Sequence, residues 1–371
     1  MQNTDMTGKE TRPSENRKKK TVIRAAIFVV LAALIFAYLN EVFGLSDSDS
    51  NKEIFNAFYA EEENSIDLVY FGTSASNRYF IAPQVYDDTR LASFTLATMG
   101  MPLFFVPNLI EEVEKTQDPQ MYIIELRWVL KNKDMITDAH IRRVTDSMKY
   151  SSNRTDAIDK ALEFTEGAEG ELSDIDDSKW DYYVPLIKYH SRLESGNLTM
   201  GDVLLTNTKN ETKGYVMSPK TRQQVAQSEP VYSDGKADLS PEAEEVLAEL
   251  LDYCDGLDQE VLFVLSPYSM KEGEAEKFNT AIDMVRSRGY EVLDFNTEEM
   301  AKAVGINWKT DFYNSKHVNF LGAEKYTSYL SEYIDENYDL PDRRGDSKYE
   351  SYEEAYDVYR EFVKEGIRQE K

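Results

Sequence analysis

Apolar residues along this chain come in short runs of two kinds. The first kind is a nearly continuous block: 66–71 (IDLVYF), 93–98 (SFTLAT), 121–126 (MYIIEL), 260–267 (EVLFVLSP, ended by proline) and 291–295 (EVLDF). Blocks of this length without strict alternation read as strands buried on both faces. The second kind recurs every three or four residues. It covers 241–256, which opens with Pro241 and closes with Gly256, then 273–290, closed by Gly289, and 320–338, which follows the capping residue Asn319. Those are helix signatures with their start and stop signals in place. The stretch 102–115 has helical spacing interrupted at Pro107. Strand and helix alternate, which predicts an α/β fold with a parallel sheet covered on both faces. In such sheets the reactive groups gather at the carboxyl ends of the strands.

The rhythm breaks between 127 and about 240. That region holds helical stretches and a polar run ending in SEPVYSDG, and it reads as a largely helical insertion that caps the sheet edge or the site. The tail 351–367 places Tyr352, Tyr356, Tyr359, Phe362 and Val363 on one face, so it is expected to be an amphipathic helix docked on the body.

Ahead of the first strand, residues 25–39 are apolar without a break, and 21–23 and 42–43 lengthen the run toward the ~20 residues a bilayer requires. RKKK at 17–20 lies entirely on the N-terminal side, so the chain is expected to keep residues 1–20 in the cytoplasm, cross at 21–43 and carry its body outside the cell membrane. A cleaved signal peptide would need small residues ahead of its cut; AYLNE at 37–41 offers a poor site. Residues 44–64 are expected to be a solvated linker with one short helical turn, since SDSDSN lacks the central glycine of a calcium loop. The α/β domain then spans 65–340, with the C-terminal helix in 341–371.

Charge and composition narrow the partners. The formal charge is −26; residues 1–24 carry seven basic and three acidic side chains, which leaves −30 on the remainder. An acidic body repels phosphate backbones and argues against nucleic acid. One cysteine permits no internal disulfide, and with three scattered histidines it makes a zinc site improbable. No metal and no cofactor is expected.

Two polar breaks carry the candidate chemistry. GTSAS at 72–76 follows the first strand, and a serine there sits near free N–H groups that favour a developing negative charge. Ser74 is thus a candidate nucleophile, with a plain helix cap as the other reading. The second break is DFYNSKHVNF at 311–320, ahead of the last helix. Its His317 falls where a loop can lie over the carboxyl edge within reach of Ser74. His140 and His190 lie inside the insertion and read as packing or surface residues. Trp308 and Tyr313 either stack on a sugar ring or cover the sheet edge.

GTS at 72–74, Gly100 after the second strand and the histidine loop resemble the SGNH hydrolase superfamily. More narrowly, the chain is similar to membrane-anchored bacterial proteins of the teichoic-acid D-alanylation and alginate-acetylation type. The resemblance spans roughly 65–340 and implies a doubly wound, flavodoxin-like sheet of SGNH type. It implies Ser74 as nucleophile, His317 as base, and the N–H groups of Ser74 and Gly100 as an oxyanion hole. The family's asparagine after the third strand has no match; Arg127 stands there, either to stabilise the oxyanion or grip an anionic substrate, or to pair with acids. The family's aspartate three residues before the histidine is Asn314 here, and Asp311 is the alternative carboxylate.

Two functions follow from that resemblance. One is an esterase or acyltransferase that modifies a cell-envelope polysaccharide or teichoic acid through an acyl-serine. The other is a catalytically weakened, glycan-binding or scaffolding partner. Either would work beside a membrane-bound O-acyltransferase.

Overall fold

Apolar strand segments have one stable place, the middle of a sheet covered on both sides. The computed structural model, which describes residues 15–169, 175, 178–209 and 211–369, puts them there. Strands β1 (Leu68–Gly72), β2 (Ser93–Ala97) and β3 (Met121–Glu125) are buried at every residue, and β4 (Glu260–Leu265) and β5 (Glu291–Asp294) complete the sheet. All neighbours pair in parallel, in the order β2-β1-β3-β4-β5. Alternate side chains feed two cores: Val69 and Phe71 point to one face, Leu68 and Tyr70 to the other.

The helices divide between those faces. Ahead of the sheet come α1 (Glu15–Val42) and α2 (Ser50–Tyr59). Then follow α3 (Ser76–Tyr79), α4 (Ala82–Thr89) and α5 (Val106–Glu114). The insertion between β3 and β4 supplies α6 (Asp138–Thr145), α7 (Ser152–Phe164), α8 (Lys179–Tyr183), α9 (Pro185–Tyr189), α10 (Arg192–Ser195) and α11 (Met200–Leu204). After it come α12 (Pro241–Cys254), α13 (Glu274–Ser287), α14 (Glu298–Val304), α15 (Phe320–Asn337) and α16 (Glu350–Gln369). Helices α2, α5, α7, α12 and α13 cover one face; α3, α4, α15 and α16 cover the other. In α16, Tyr352 and Tyr359 are the buried anchors. Pro107 opens α5 rather than interrupting it, in the first-turn position where its missing N–H costs nothing.

One expectation is corrected here. The segment 44–64 is not a solvated linker. Asp49 caps α2 through the N–H groups of Asn51 and Lys52, and Ile54, Phe55, Ala57 and Phe58 are buried in the first core. The acidic flanks, SDSDS and EEEN, hid an apolar stripe of helical spacing between them. Helix α2 also fixes direction. Its Asn51 Oδ1 accepts the N–H of Met99, just past the carboxyl end of β2, at 2.9 Å. Its far end leads to Asn64, Asp67 and the start of β1. The helix therefore runs antiparallel to the strands, and the carboxyl edge of the sheet lies on the side where α1 ends.

Helix α1 contains a 26-residue stretch, Arg17–Val42, long and apolar enough to cross a membrane. At 1.5 Å per residue it extends about 39 Å, more than a hydrocarbon core of ~30 Å.

Candidate active site

The sheet changes winding direction between β1 and β3, and the crevice at that switch point is where open α/β sheets place their chemistry. Gly72 ends β1 there. A Cβ on it would lie 2.0 Å from Ser76 Oγ and 2.6 Å from Glu125 Cβ, so glycine alone lets α3 fold back this tightly. Ser76 is buried by that arrangement. Ser74, two residues past the strand, stays half-buried at the rim.

The stretch 311–320 is more ordered than the loop its sequence suggested. It forms a small antiparallel hairpin of β6 (Phe312–Asn314) and β7 (His317–Val318), in which Asn314 and His317 are cross-strand partners. Asn319 then caps α15 by accepting the N–H groups of Leu321 at 3.0 Å and Gly322 at 3.3 Å. The hairpin brings His317 back to β1: Ser74 Oγ and His317 Nε2 are 2.8 Å apart, across 243 residues of sequence.

The tautomer follows from the neighbours. Asn314 Oδ1 accepts the Lys316 backbone N–H at 2.9 Å, which fixes the amide with its oxygen toward the turn. His317 Nδ1 lies 3.1 Å from that same oxygen and must be the donor. Its Nε2 is then left with a lone pair for the Ser74 hydroxyl proton. Tyr313 stacks flat on the imidazole, with ring centroids 5.5 Å apart and planes 8° from parallel.

Positive charge surrounds this pair. The Arg127 guanidinium lies between the rings of Tyr79 (5.4 Å) and Tyr268 (4.1 Å), and donates to Lys316 O at 2.8 Å and Tyr79 Oη at 3.4 Å. Arg78 lies 5.7 Å from the Tyr313 ring. Burial, and then Arg127, Arg78 and Lys316, lower the His317 pKa from its ordinary 6.5 to about 3, so the imidazole is neutral and available as a base.

Beneath the rim sits Glu125, buried at the end of β3. Its Oε1 accepts the N–H of Arg127 (3.3 Å) and Ser266 (3.2 Å), and its Oε2 accepts the Tyr70 hydroxyl (3.1 Å). It thus ties together the ends of β1, β3 and β4. Burial pushes its carboxyl pKa up, against the opposing pull of Arg127.

The remaining sequence candidates divide. Gly100 closes the carboxyl end of β2, the neighbour of β1, with φ +71°; a Cβ would meet His140 Cδ2 at 2.7 Å and Trp128 Cη2 at 2.8 Å. Asp311 is corrected: its carboxylate accepts the Asn307 N–H (2.7 Å), Thr310 Oγ1 (2.9 Å) and Lys325 Nζ (2.6 Å), and the imidazole's Nδ1 partner is Asn314 instead. Trp308 is also corrected. It is buried and stacks on Phe312 at 4.7 Å, inside the second core rather than open to a sugar. Tyr313 is 8% exposed and lies against His317, so it walls the imidazole. Sequence reasoning missed Arg78, Tyr79 and Glu125. The first two lie one turn past Ser74. Glu125 is a lone acid ending an otherwise apolar strand, and an unexplained charge at that position was the available signal.

No protein-family model matches this chain and no curated protein matches it, so its function is read from this geometry.

Proposed function

We propose that this chain is a membrane-tethered serine esterase or O-acyltransferase of SGNH-like type, acting on a cell-envelope polysaccharide or teichoic acid. The single observation behind this reading is the 2.8 Å approach of Ser74 Oγ to His317 Nε2. Ser74 Oγ attacks the acyl carbonyl carbon while His317 Nε2 takes its proton. The carbonyl oxygen becomes an oxyanion beside the N–H groups of Ser74 and Gly100. The C–O bond to the leaving alcohol breaks as that oxygen takes the proton back from His317. The acyl-serine is then resolved by a sugar hydroxyl or by water, again deprotonated at His317. Arg78, Arg127 and Lys316 suit an acceptor that is itself anionic.

The carboxyl edge faces the end of α1, which favours an acyl donor delivered at the membrane by a membrane-bound O-acyltransferase. In this reading the N-terminus is cytoplasmic and the domain extracytoplasmic.

A second reading is a binding or scaffolding partner without turnover. The observation favouring it is Asn314, an uncharged amide in the position behind the imidazole where a carboxylate would stabilise its cation.

A fluorophosphonate probe separates the two. The full-length chain in detergent should be labelled at Ser74, with labelling lost in Ser74→Ala and reduced at least ~10³-fold in His317→Ala. An unlabelled wild-type chain that still binds glycan establishes the second reading instead.

A further inference from the structure

The insertion is clamped to the foot of α1. Tyr38 donates its hydroxyl to Val203 O at 2.8 Å, and Asn40 Oδ1 accepts the Leu186 N–H at 3.2 Å. Arg192 donates to Gly44 O and to Asp202 Oδ2, each at 2.5 Å, which covers a carbonyl just beyond the negative end of the helix with a cation. The short helices α9 and α11 therefore stand beside the last turns of the apolar segment.

Beside the exposed Lys188 of α9, what they show to the outside is largely aliphatic. Ile187 is 46% exposed, Met200 70%, Leu204 62% and Leu205 46%. A concentration of exposed aliphatic side chains on so short a stretch marks a surface that something covers.

Position identifies the cover. Helix α1 is exposed through Tyr38 and becomes covered by protein at Asn40, while its uninterrupted apolar run ends at Leu39. The protein body thus begins at the level where a spanning helix leaves the hydrocarbon. Tyrosine is enriched at that boundary. Val203 is bonded to Tyr38, so α11 stands at the same depth. The strongly acidic body gains no attraction from anionic headgroups, so adhesion has to come from apolar insertion.

We propose that α9 and α11 form a collar lying in the bilayer interface, with Ile187, Met200, Leu204 and Leu205 in the headgroup–acyl boundary. The collar seats the domain on the lipid surface and keeps the carboxyl edge of the sheet on the membrane side. The inference is independent of the chemistry at Ser74.

Nitroxide depth measurement tests it. Leu204→Cys is spin-labelled in the full-length chain, reconstituted at high lipid ratio in phosphatidylcholine vesicles. Val231→Cys, which replaces a 48% exposed residue in the polar stretch before α12, is the aqueous control. The native Cys254 is buried, with its thiol pushed up to about 12, and stays unlabelled. The ratio of collisions with oxygen to collisions with a water-soluble nickel chelate should be several-fold higher at 204 than at 231. Equal ratios overturn the collar. Dipolar broadening that disappears on further lipid dilution also overturns it, because a second copy would then be the cover. Met200→Cys on the same helix provides the same readings if Leu204→Cys does not reconstitute.

Discussion

Two clusters of arginine lie in this molecule and treat their charge in opposite ways. In the insertion, Arg142 Nε meets Asp138 Oδ1 at 2.7 Å and Arg154 Nη2 meets Asp146 Oδ1 at 3.0 Å. Tyr182 and Tyr189 donate to the same two carboxylates at 2.6 and 2.8 Å. Both arginines and both aspartates are buried. At the sheet edge, Arg127 and Arg78 lie instead against tyrosine rings, and Arg127 donates to a hydroxyl and a carbonyl. The nearby carboxyl, Glu125, is buried and shifted toward its neutral form. In the first cluster each arginine is paired with a carboxylate, and Lys188 joins Asp138 at 3.3 Å, so the cluster acts as internal glue. The second leaves positive potential directed at a half-open serine and histidine, on a chain whose total charge is −26. Such a rim suits the anionic acceptor proposed above.

The sharpest way to break the contrast is to unbalance the glue. Asp146→Ala leaves Arg142 with one carboxylate and Arg154 with only carbonyl acceptors, in a buried place. Removing one partner of such a pair typically costs ~3–5 kcal/mol. Urea denaturation of the full-length chain in detergent should show a loss of that order, while fluorophosphonate labelling per folded molecule stays unchanged. A loss below ~1 kcal/mol, the range of exposed pairs, would mean that the insertion is held by packing alone.

The other arm of the contrast is tested at Arg127. Arg127→Met should lower kcat/KM for an anionic acyl ester by ~10–100-fold, the worth of one or two charge-assisted hydrogen bonds. A neutral ester of the same acyl group should change much less, and Arg127→Lys should recover part of the difference. The preference for the anionic ester should also shrink as salt rises. An equal fall for both esters would show that Arg127 acts only by holding the hairpin through Lys316 O.

How legible was all this in the sequence? The strands were plain, because residues buried on both faces leave continuous apolar runs. Ser74 and His317 were visible as polar breaks at a strand end and before a helix. Their convergence was expected from the rule that loops gather at the carboxyl edge and from the family resemblance, but the bonded geometry itself was not legible, because no local signal fixes a contact across 243 residues. The hairpin β6–β7 escaped notice because strands of three and two residues have no period to detect. Helix α2 was read as a single solvated turn because its acidic flanks dominate a composition window, while its stripe of Ile54, Phe55 and Phe58 occupies little more than one turn. Asp311 was an attractive substitute base partner by spacing alone. Only the fold shows that Lys325, from α15, occupies its carboxylate. Trp308 illustrates the general weakness of aromatic readings: a ring that could stack on a sugar stacks equally well on Phe312.

The finest test of the contrast is Asn314→Asp, which places a single negative charge among the cations. In the native chain the amide oxygen already sets the imidazole tautomer, so the ~10⁴-fold penalty known for a wrong tautomer does not apply. What the amide lacks is charge, and a charge-assisted hydrogen bond adds roughly 1–1.5 kcal/mol, or about tenfold in rate, once the imidazolium forms. The pH dependence moves with it. Catalysis needs neutral His317, and with its pKa near 3 the native rate should stay flat from pH 7.5 down to about 5 and fall only below that. The aspartate stabilises the protonated ring, raises that pKa and carries the acid limb upward toward the ordinary value of 6.5. Stability follows the same sign. The unfolded chain binds a proton at His317 below pH 6.5 that the folded chain refuses until about 3, so the native fold loses stability as pH falls through that window. Asn314→Asp should narrow the window and lessen the loss. A native acid limb already at pH 6–7 would mean that neither burial nor Arg127, Arg78 and Lys316 act on the imidazole, and the positive rim would then lose its claim to be a site.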